Sequence, residues 1–378
     1  MGRRVISMID HRLYRHIDWL LVAAVVLLAI VGLAMIYSTT YDPMAATRAR
    51  IPIGPRVWTQ AAALVVGLVV MAAAVWIDYR RLTQNALVLY AIVAAMLLCV
   101  LLLGVTAGGA RRWLSVGGFT LQPSAFATIP LALVLAAYFG ENRLTAWKGS
   151  DLAVAGAFVA GLFVLIARQP DLGSAITLLP VFLGMVFVAG LRLRLLGIVL
   201  AMGLVLSPVA WKYALADYQR ARIVTFLDPG QDPLGAGYQQ IQARITVGSG
   251  GLTGKGFVQG TQGQYKFLPV AHNDFIYSVL AEEQGFLGVL ATLGLYLFVM
   301  LRSIEAARLA KDRTGAYLVI GLLSGFAFQV VYNITMSAGL APVKGLTLPL
   351  MSYGGSSLIA TCATFGLILN VRMRRFTN

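Results

Sequence analysis

The residue best placed to do chemistry in this chain is one acid, Asp274. It closes a polar stretch, residues 212–275, in the run Phe267-Leu-Pro-Val-Ala-His-Asn-Asp-Phe-Ile276. A carboxylate where a polar loop re-enters an apolar span can face a water-filled cavity and accept a proton there. It can also do something plainer, since an acid or amide at a helix start caps free N–H groups and complements the helix dipole. Asn273 can supply that cap, which leaves Asp274 in the first turn. At helical spacing Asp274, Ser278, Glu282 and Gly285 follow one another on one polar, small-residue face. Glu282 and Glu283 lie deeper, and one of them is expected to pair with an intramembrane or loop cation. His272 either orients a neighbour or serves as a structural hydrogen-bonder.

Other segments carry residue types that bind charge or shape irregular backbone. Arg111 and Arg112 stand beside Trp113 in a Gly-rich turn. Two guanidinium forks can clamp a pyrophosphate, or Arg and Trp can simply anchor the turn at the membrane interface. In Gln169-Pro-Asp-Leu-Gly-Ser174, Asp171 follows a proline at an apparent helix start, a natural cap position. The run Gly248-Ser-Gly-Gly-Leu-Thr-Gly-Lys-Gly256 permits close backbone approach but lacks the Gly-x4-Gly-Lys-[Ser/Thr] spacing of a P-loop, so a flexible loop and a phosphate cradle both stay open. Ser352-Tyr-Gly-Gly-Ser-Ser357 opens the last apolar span with small residues that allow close helix packing.

What must position these residues is a membrane protein. Of the 378 residues 59% are hydrophobic and 12% charged, against about 25% charged in soluble domains. Ten spans are expected, near residues 18–37, 58–77, 86–105, 123–139, 151–167, 172–190, 196–211, 276–300, 315–337 and 353–371. Helices satisfy their backbone groups one span at a time in lipid, so the expected fold is an all-α polytopic membrane protein with a large extracytoplasmic loop, about 212–275, between helices 7 and 8. No tandem repeat or soluble domain is visible, so residues 1–378 are read as a single domain. Loop Arg and Lys are concentrated on the side of the termini, which places both termini in the cytoplasm and the polar loop outside. The net charge of +15 is spread over many loops, which suits topology and anionic lipid rather than nucleic acid. Cys99 and Cys362 both fall in spans and make neither a disulfide framework nor a metal cluster.

Several ordered pieces carry a family likeness: Gly109-Ala-Arg-Arg-Trp113, Gln122-Pro-Ser124, Gln169-Pro-Asp-Leu-Gly173, Phe226-Leu-Asp-Pro229, Gly237-Tyr-Gln239, Gly248-Ser-Gly-Gly251, Gln259-Gly-Thr-Gln262, His272-Asn-Asp-Phe275 and Pro349-Leu-Met-Ser-Tyr-Gly-Gly-Ser-Ser357. Together they resemble the SEDS family (shape, elongation, division and sporulation), most closely its RodA branch. Lys344-Gly-Leu-Thr-Leu-Pro349 is more like the division-type FtsW branch. The resemblance implies a peptidoglycan glycosyltransferase in the bacterial cytoplasmic (inner) membrane. It would polymerise lipid II into β-1,4 glycan strands on the outer face for cell elongation and rod shape, and release undecaprenyl pyrophosphate. The family's catalytic aspartate falls on Asp274, the general base for the attacking hydroxyl. Arg111, Arg112, Arg220, Arg222 and Lys255 lie on the correct face to bind substrate and pyrophosphate, and His272, Asn273, Glu282, Gln169, Asp171, Ser352 and Tyr353 support the site. A divalent cation, Mg²⁺ or Mn²⁺, is implied, held mostly by pyrophosphate and Asp274. The implied partners are lipid II, the nascent glycan strand, a class B penicillin-binding transpeptidase and other elongation-complex membrane proteins.

Two departures from the family pattern stand out. The usual Gln-Pro-Ser-Glu with a following Lys is replaced by Ala125 and Thr128, which deletes an acid and a base together at i,i+3 spacing. Removing both partners costs far less than stranding one. Asn273 stands where threonine is common and keeps a polar side chain. Rival functions are a lipid II flippase, which should carry acids and broken helices near the bilayer midplane, and a non-catalytic scaffold, which would tolerate Asp274→Ala.

Overall fold

The protein is described by a computed structural model covering residues 16–41, 54–107, 110–116, 119–141, 149–190, 216–232, 235–265 and 267–376, with a few further positions between 197 and 212. Among the described residues, eight helices are long and apolar enough to cross a membrane. They include α1 (Trp19–Thr40), α2 (Pro55–Trp76), then, after a short α3 (Tyr79–Gln84), α4 (Ala86–Leu103). Next come α5 (Thr128–Glu141), entered through a 3-10 turn at Pro123–Phe126, and α6 (Gly149–Ala167). The shorter apolar helix α7 (Leu172–Val188) follows. The expected seventh span, 196–211, falls almost wholly outside the described residues.

The large loop is not bare. It holds α8 (Asp217–Leu227), α9 (Ala236–Ser249) and a single turn, α10 (Thr261–Gln264). The chain then returns through α11 (Ile276–Arg308), α12 (Arg313–Ser337) and α13 (Gly355–Met373). The innermost helix is α13, almost wholly buried and packed along α2, while α12 packs against α5 and α7. At the end of the bundle where α1 begins, Asp18 caps α1 and pairs with Arg302 of α11 and Arg372 of α13, each at 2.7 Å. A buried charge is retained only when paired, and this cluster ties three helices together.

One element departs from the all-helical expectation. Residues read as a Gly-rich turn form an antiparallel sheet between α4 and α5: β1 (Val105–Ala107), β2 (Ala110–Val116) and β3 (Phe119–Leu121). Val105, Thr106, Trp113, Val116, Phe119 and Thr120 suit a pleated surface, but the runs are too short for alternation to declare itself.

The glycine run of the loop also has a definite task. Helix α11 is broken at Gly285 (φ 64°), and segment 250–256 packs into the break. Lys255 N and Gly256 N donate to the carbonyls of Glu282 and Glu283, both at 3.0 Å, and Phe286 N donates to Gly251 O at 2.9 Å. A Cβ on Gly285 would overlap the backbone nitrogen of Gly254. The glycines therefore serve neither a flexible loop nor a phosphate cradle: they let two backbones meet at a helix break.

Candidate active site

A cavity of about 520 Å³ opens where the polar loop meets the helix bundle. Its walls come from β2, α5, α7, α8, α12, α13 and the segment after α12, and Asp274 is among its lining residues. Asp274 lies in a turn before α11. The N-cap position is Phe275, and it makes no side-chain capping bond. The expectation that Asn273 caps and Asp274 opens the helix is therefore corrected: one further turn residue separates the acid from α11. The backbone holds the acid in place, because Asn333 Nδ2 donates to Asp274 O at 2.9 Å and to Leu346 O at 2.6 Å. Its carboxylate oxygens have no hydrogen-bond partner among the described residues. Burial pushes the Asp274 carboxyl up to about 6, against the opposing pull of Arg222 and Arg112. Space for a reactant is kept by Gly345 (φ 67°), where a Cβ would stand 3.6 Å from Asp274 Oδ2.

The five predicted phosphate-binding cations separate. Arg111 and Arg112 are neighbours in a strand, so they point to opposite faces: Arg112 lines the cavity and Arg111 is exposed outside it. Arg112 is itself committed. Its Nε donates to Gln169 O at 3.3 Å, a second nitrogen donates to Pro170 O, and Asp171 lies 3.9 Å away. Arg220 and Arg222 are two residues apart on α8, about 200° around the helix. Arg222 lines the cavity, while Arg220 faces Asp217 at 3.5 Å and the carbonyl of Lys212. Lys255 Nζ is spent on Glu282, 2.6 Å away, and on Thr261. Arg111, Arg220 and Lys255 thus lie outside the cavity, whose lining holds Arg112 and Arg222.

The supporting residues divide in the same way. Asp171 lines the cavity, caps α7 through Ser174 N at 3.3 Å and accepts from Gln122 and Ser124. Asn273 and Tyr353 also line it. His272 meets Tyr353 edge to face at 5.7 Å, and burial, then the charge of Arg56, lowers its pKa to about 4, so the ring is neutral near pH 7. Gln169 and Ser352 are outside the cavity: Gln169 donates to Leu97 O, and the Ser352 hydroxyl accepts from Leu348 N. Glu282 is also structural, gathering Lys255, Thr261 and Gln262 onto one buried carboxylate, as Glu283 does with Ser38 and Val258 N. Ala125 and Thr128, the two departures, both line the cavity.

The profile of the cell cycle protein family FtsW, RodA and SpoVE matches residues 18–376. The chain belongs to this family. It is 39% identical over 313 residues to the peptidoglycan glycosyltransferase MrdB of Escherichia coli K12, covering 82% of this chain and 84% of that protein. It is similar in fold to a chain of a peptidoglycan synthase complex that coordinates polymerization and crosslinking (TM-score 0.81, 34% identity, 96% of this chain and 99% of that one). It is also similar to the rod shape determining protein RodA of Thermus thermophilus (TM-score 0.70, 30% identity, 96% and 98% covered). As in those relatives, the polytopic helical fold is that of a multi-pass membrane protein.

Sequence reasoning did not assign Asn333, which tethers the Asp274 backbone, or the cavity-lining Gly345, Gln239 and Gln329 to the site. Asn333 did carry a signal, as a fully buried amide inside an apolar span, a position that is expensive unless it does something. The others are assigned only by three-dimensional proximity.

Proposed function

We propose that this peptidoglycan glycosyltransferase polymerises lipid II on the outer face of the bacterial cytoplasmic membrane, with Asp274 as its general base. The observation that carries this reading is the free carboxylate of Asp274 in a cavity it shares with Arg222 and Arg112. Asp274 takes the proton from the 4-hydroxyl of an acceptor sugar. That oxygen bonds to the anomeric carbon of the donor while the bond from that carbon to the diphosphate breaks. The leaving group departs as undecaprenyl pyrophosphate, and cations lower the cost of its growing charge. Arg222 has no ion pair or hydrogen bond among the described residues and is free for this task. Arg112 sets the orientation of the segment 169–171 and adds positive potential.

A divalent cation fits only if it arrives with substrate. Among the described residues no three His, Cys, Asp or Glu side chains cluster as a metal site, and Asp274 alone would add a protein carboxylate to Mg²⁺ or Mn²⁺ held by diphosphate oxygens. Such an ion would offset leaving-group charge. The broken helix α11 superficially suits a flippase, but its acids Glu282 and Glu283 are bound by the loop rather than facing the cavity. The likeness to a complex that joins polymerization and crosslinking supports a transpeptidase as partner, of class B as the family resemblance implies, and the likeness to a rod shape determining protein supports a role in elongation. The test is glycan formation from lipid II by the purified protein, with and without such a partner. Asp274→Ala is expected to fold and make no glycan; normal polymerisation by that variant would remove Asp274 from the mechanism.

A further inference from the structure

Gln60 is a buried amide, 3% exposed, in the second turn of α2. Beyond it that helix is wholly apolar, from Ala61 to Trp76. An amide is unfavourable to bury unless its groups are bonded, and this one is bonded at both ends. Its Nε2 donates to Ser352 O and its Oε1 accepts from Gly354 N, both at 3.1 Å. The side chain therefore brackets Tyr353, holding the carbonyl before it and the N–H after it. Between those two ties, Tyr353 N donates to His272 O at 2.9 Å. Hydrogen bonds thus run without a gap from α2, through the turn ahead of α13, to the turn that carries Asp274. A second buried amide, Asn333 of α12, reaches the same turn at Asp274 O. The turn requires such ties. It holds Val270 at φ 55°, a conformation that persists only where the surroundings impose it. The Asp274 carboxylate accepts no hydrogen bond among the described residues, so its position is set through the main chain.

We propose that Gln60 is a positioning residue for the base: it fixes the turn 352–354, whose Tyr353 N–H holds the Asp274 turn two residues from the tie made by Asn333. This inference rests on the reading of Asp274 as general base. A base has to meet its hydroxyl within hydrogen-bond reach, and a displacement of about 1 Å lowers the rate on the order of 10²-fold. Gln60 is not among the residues lining the cavity. Its loss should therefore appear in the chemical step and spare substrate binding. The other end of α13 offers a matched comparison. Asn370, fully buried, holds backbone in the same way, donating to the carbonyls of Ala74, Val75 and Ile77 and accepting from Tyr79 N.

The test is steady-state polymerisation of lipid II by the full-length protein, with or without a transpeptidase partner, in whichever condition the wild type makes glycan. Rates are counted per folded, monodisperse molecule. Gln60→Met keeps the length of the side chain and removes both bonds. It is expected to lower kcat about 10- to 100-fold while KM stays within about threefold. Asn370→Leu should lower the melting temperature at least as much and leave kcat within about twofold. If Gln60→Met does not stay monodisperse, Gln60→Asn, too short to reach both partners, is measured instead with the same expectation. An unchanged kcat in the Gln60 variant, or a loss carried by KM alone, overturns the proposal. So does an equal fall of kcat in Asn370→Leu, since any buried amide would then serve. Asp274→Ala, assayed beside them, separates this inference from the reading beneath it. An inactive Asp274→Ala with full kcat in Gln60→Met leaves the base standing and makes Gln60 merely structural. Normal polymerisation by Asp274→Ala removes the base itself, whatever Gln60→Met does.

Discussion

Replacing Asp274 by Asn should destroy activity and make the protein more stable. The carboxylate is half-buried, with no hydrogen-bond donor among the described residues, and its pKa is pushed from the ordinary 3.8 up to about 6. At ~1.4 kcal/mol per pH unit, that rise means the folded state pays about 3 kcal/mol to hold the charge. Water at the cavity mouth screens part of it, so about 1–3 kcal/mol is expected. The unfolded carboxyl loses its proton near 3.8 and the folded one near 6, so the native state binds the extra proton between those values. The penalty is therefore absent well below pH 3.8, grows as pH rises, and is complete above about 6. A neutral isostere removes it. The assay is apparent thermal unfolding of wild type and Asp274→Asn in the same detergent at about pH 7.5 and about pH 4.5. With ~2 cal/mol/K of unfolding entropy per residue, the variant's advantage at the higher pH is a few °C, and it shrinks to roughly a third at the lower one. Glycan synthesis should fall ~10²–10⁴-fold in the same sample. An Asp274→Asn protein that melts at or below the wild type at the higher pH, or whose advantage does not depend on pH, would refute the account of a strained, unpartnered base.

Four further outcomes follow from the same geometry. Wild-type polymerisation should drop about tenfold per pH unit below about 6, where Asp274 gains its proton, and stay level above it; a flat profile across that value would count against the base. Arg222→Met should lower the rate ~10²-fold or more, as loss of a transition-state cation does, whereas Arg111→Met, outside the cavity, should stay within about twofold; comparable losses in both would mean that lining the cavity does not decide which cations act. Glu282→Gln strands Lys255 and should cost about 2 kcal/mol, with Glu282→Gln/Lys255→Met recovering part of it, measured by thermal unfolding and by proteolysis within residues 250–262; no recovery in the double variant would show that the pair is not the unit. Asp18→Asn leaves Arg302 and Arg372 sharing the single carboxylate of Glu305 and should lower the melting temperature while the rate per folded molecule changes little; an unaltered melting temperature would deny the cluster its tie between α1, α11 and α13.

Much of the architecture was legible because lipid imposes a coarse rule. Runs of apolar residues long enough to cross the bilayer leave few choices but helices, and within the described residues the expected spans fall on the helices observed. Asp274 was legible because an acid at the end of a polar loop has to face something. Proximity was not legible. Arg111 and Arg112 look equivalent in sequence until a strand sends them to opposite faces, and Arg220 and Arg222 until a helix does the same. Lys255 looked free because its partner, Glu282, lies 27 residues away and meets it only through a break at Gly285.

The distribution of unsatisfied groups argues where function lies. Away from the cavity the charges are satisfied: Asp18 pairs with Arg302 and Arg372, Glu282 with Lys255, and Arg374 with Asp78 at 3.2 Å, while Glu283 accepts from Ser38 and Val258 N. Around the cavity the pattern reverses. Asp274 has a tethered backbone but no hydrogen bond to its carboxylate among the described residues, Arg222 makes no hydrogen bond or ion pair among them, and Val270, a cavity-lining residue, sits at φ 55°. A β-branched residue there costs about 1–3 kcal/mol and persists only where surrounding structure imposes it. Here Asn333 ties the Asp274 end of that turn to the loop at Leu346, and Tyr353 N donates to His272 O at 2.9 Å. The turn is thus fixed through its main chain, which leaves the Asp274 carboxylate available. Fixed backbone with unspent charge is what a site needs if it is to stabilise charge that appears only during reaction. Ala125 and Thr128 extend the same logic: at these two lining positions the cavity wall carries neither the acid nor the base of the usual family pattern.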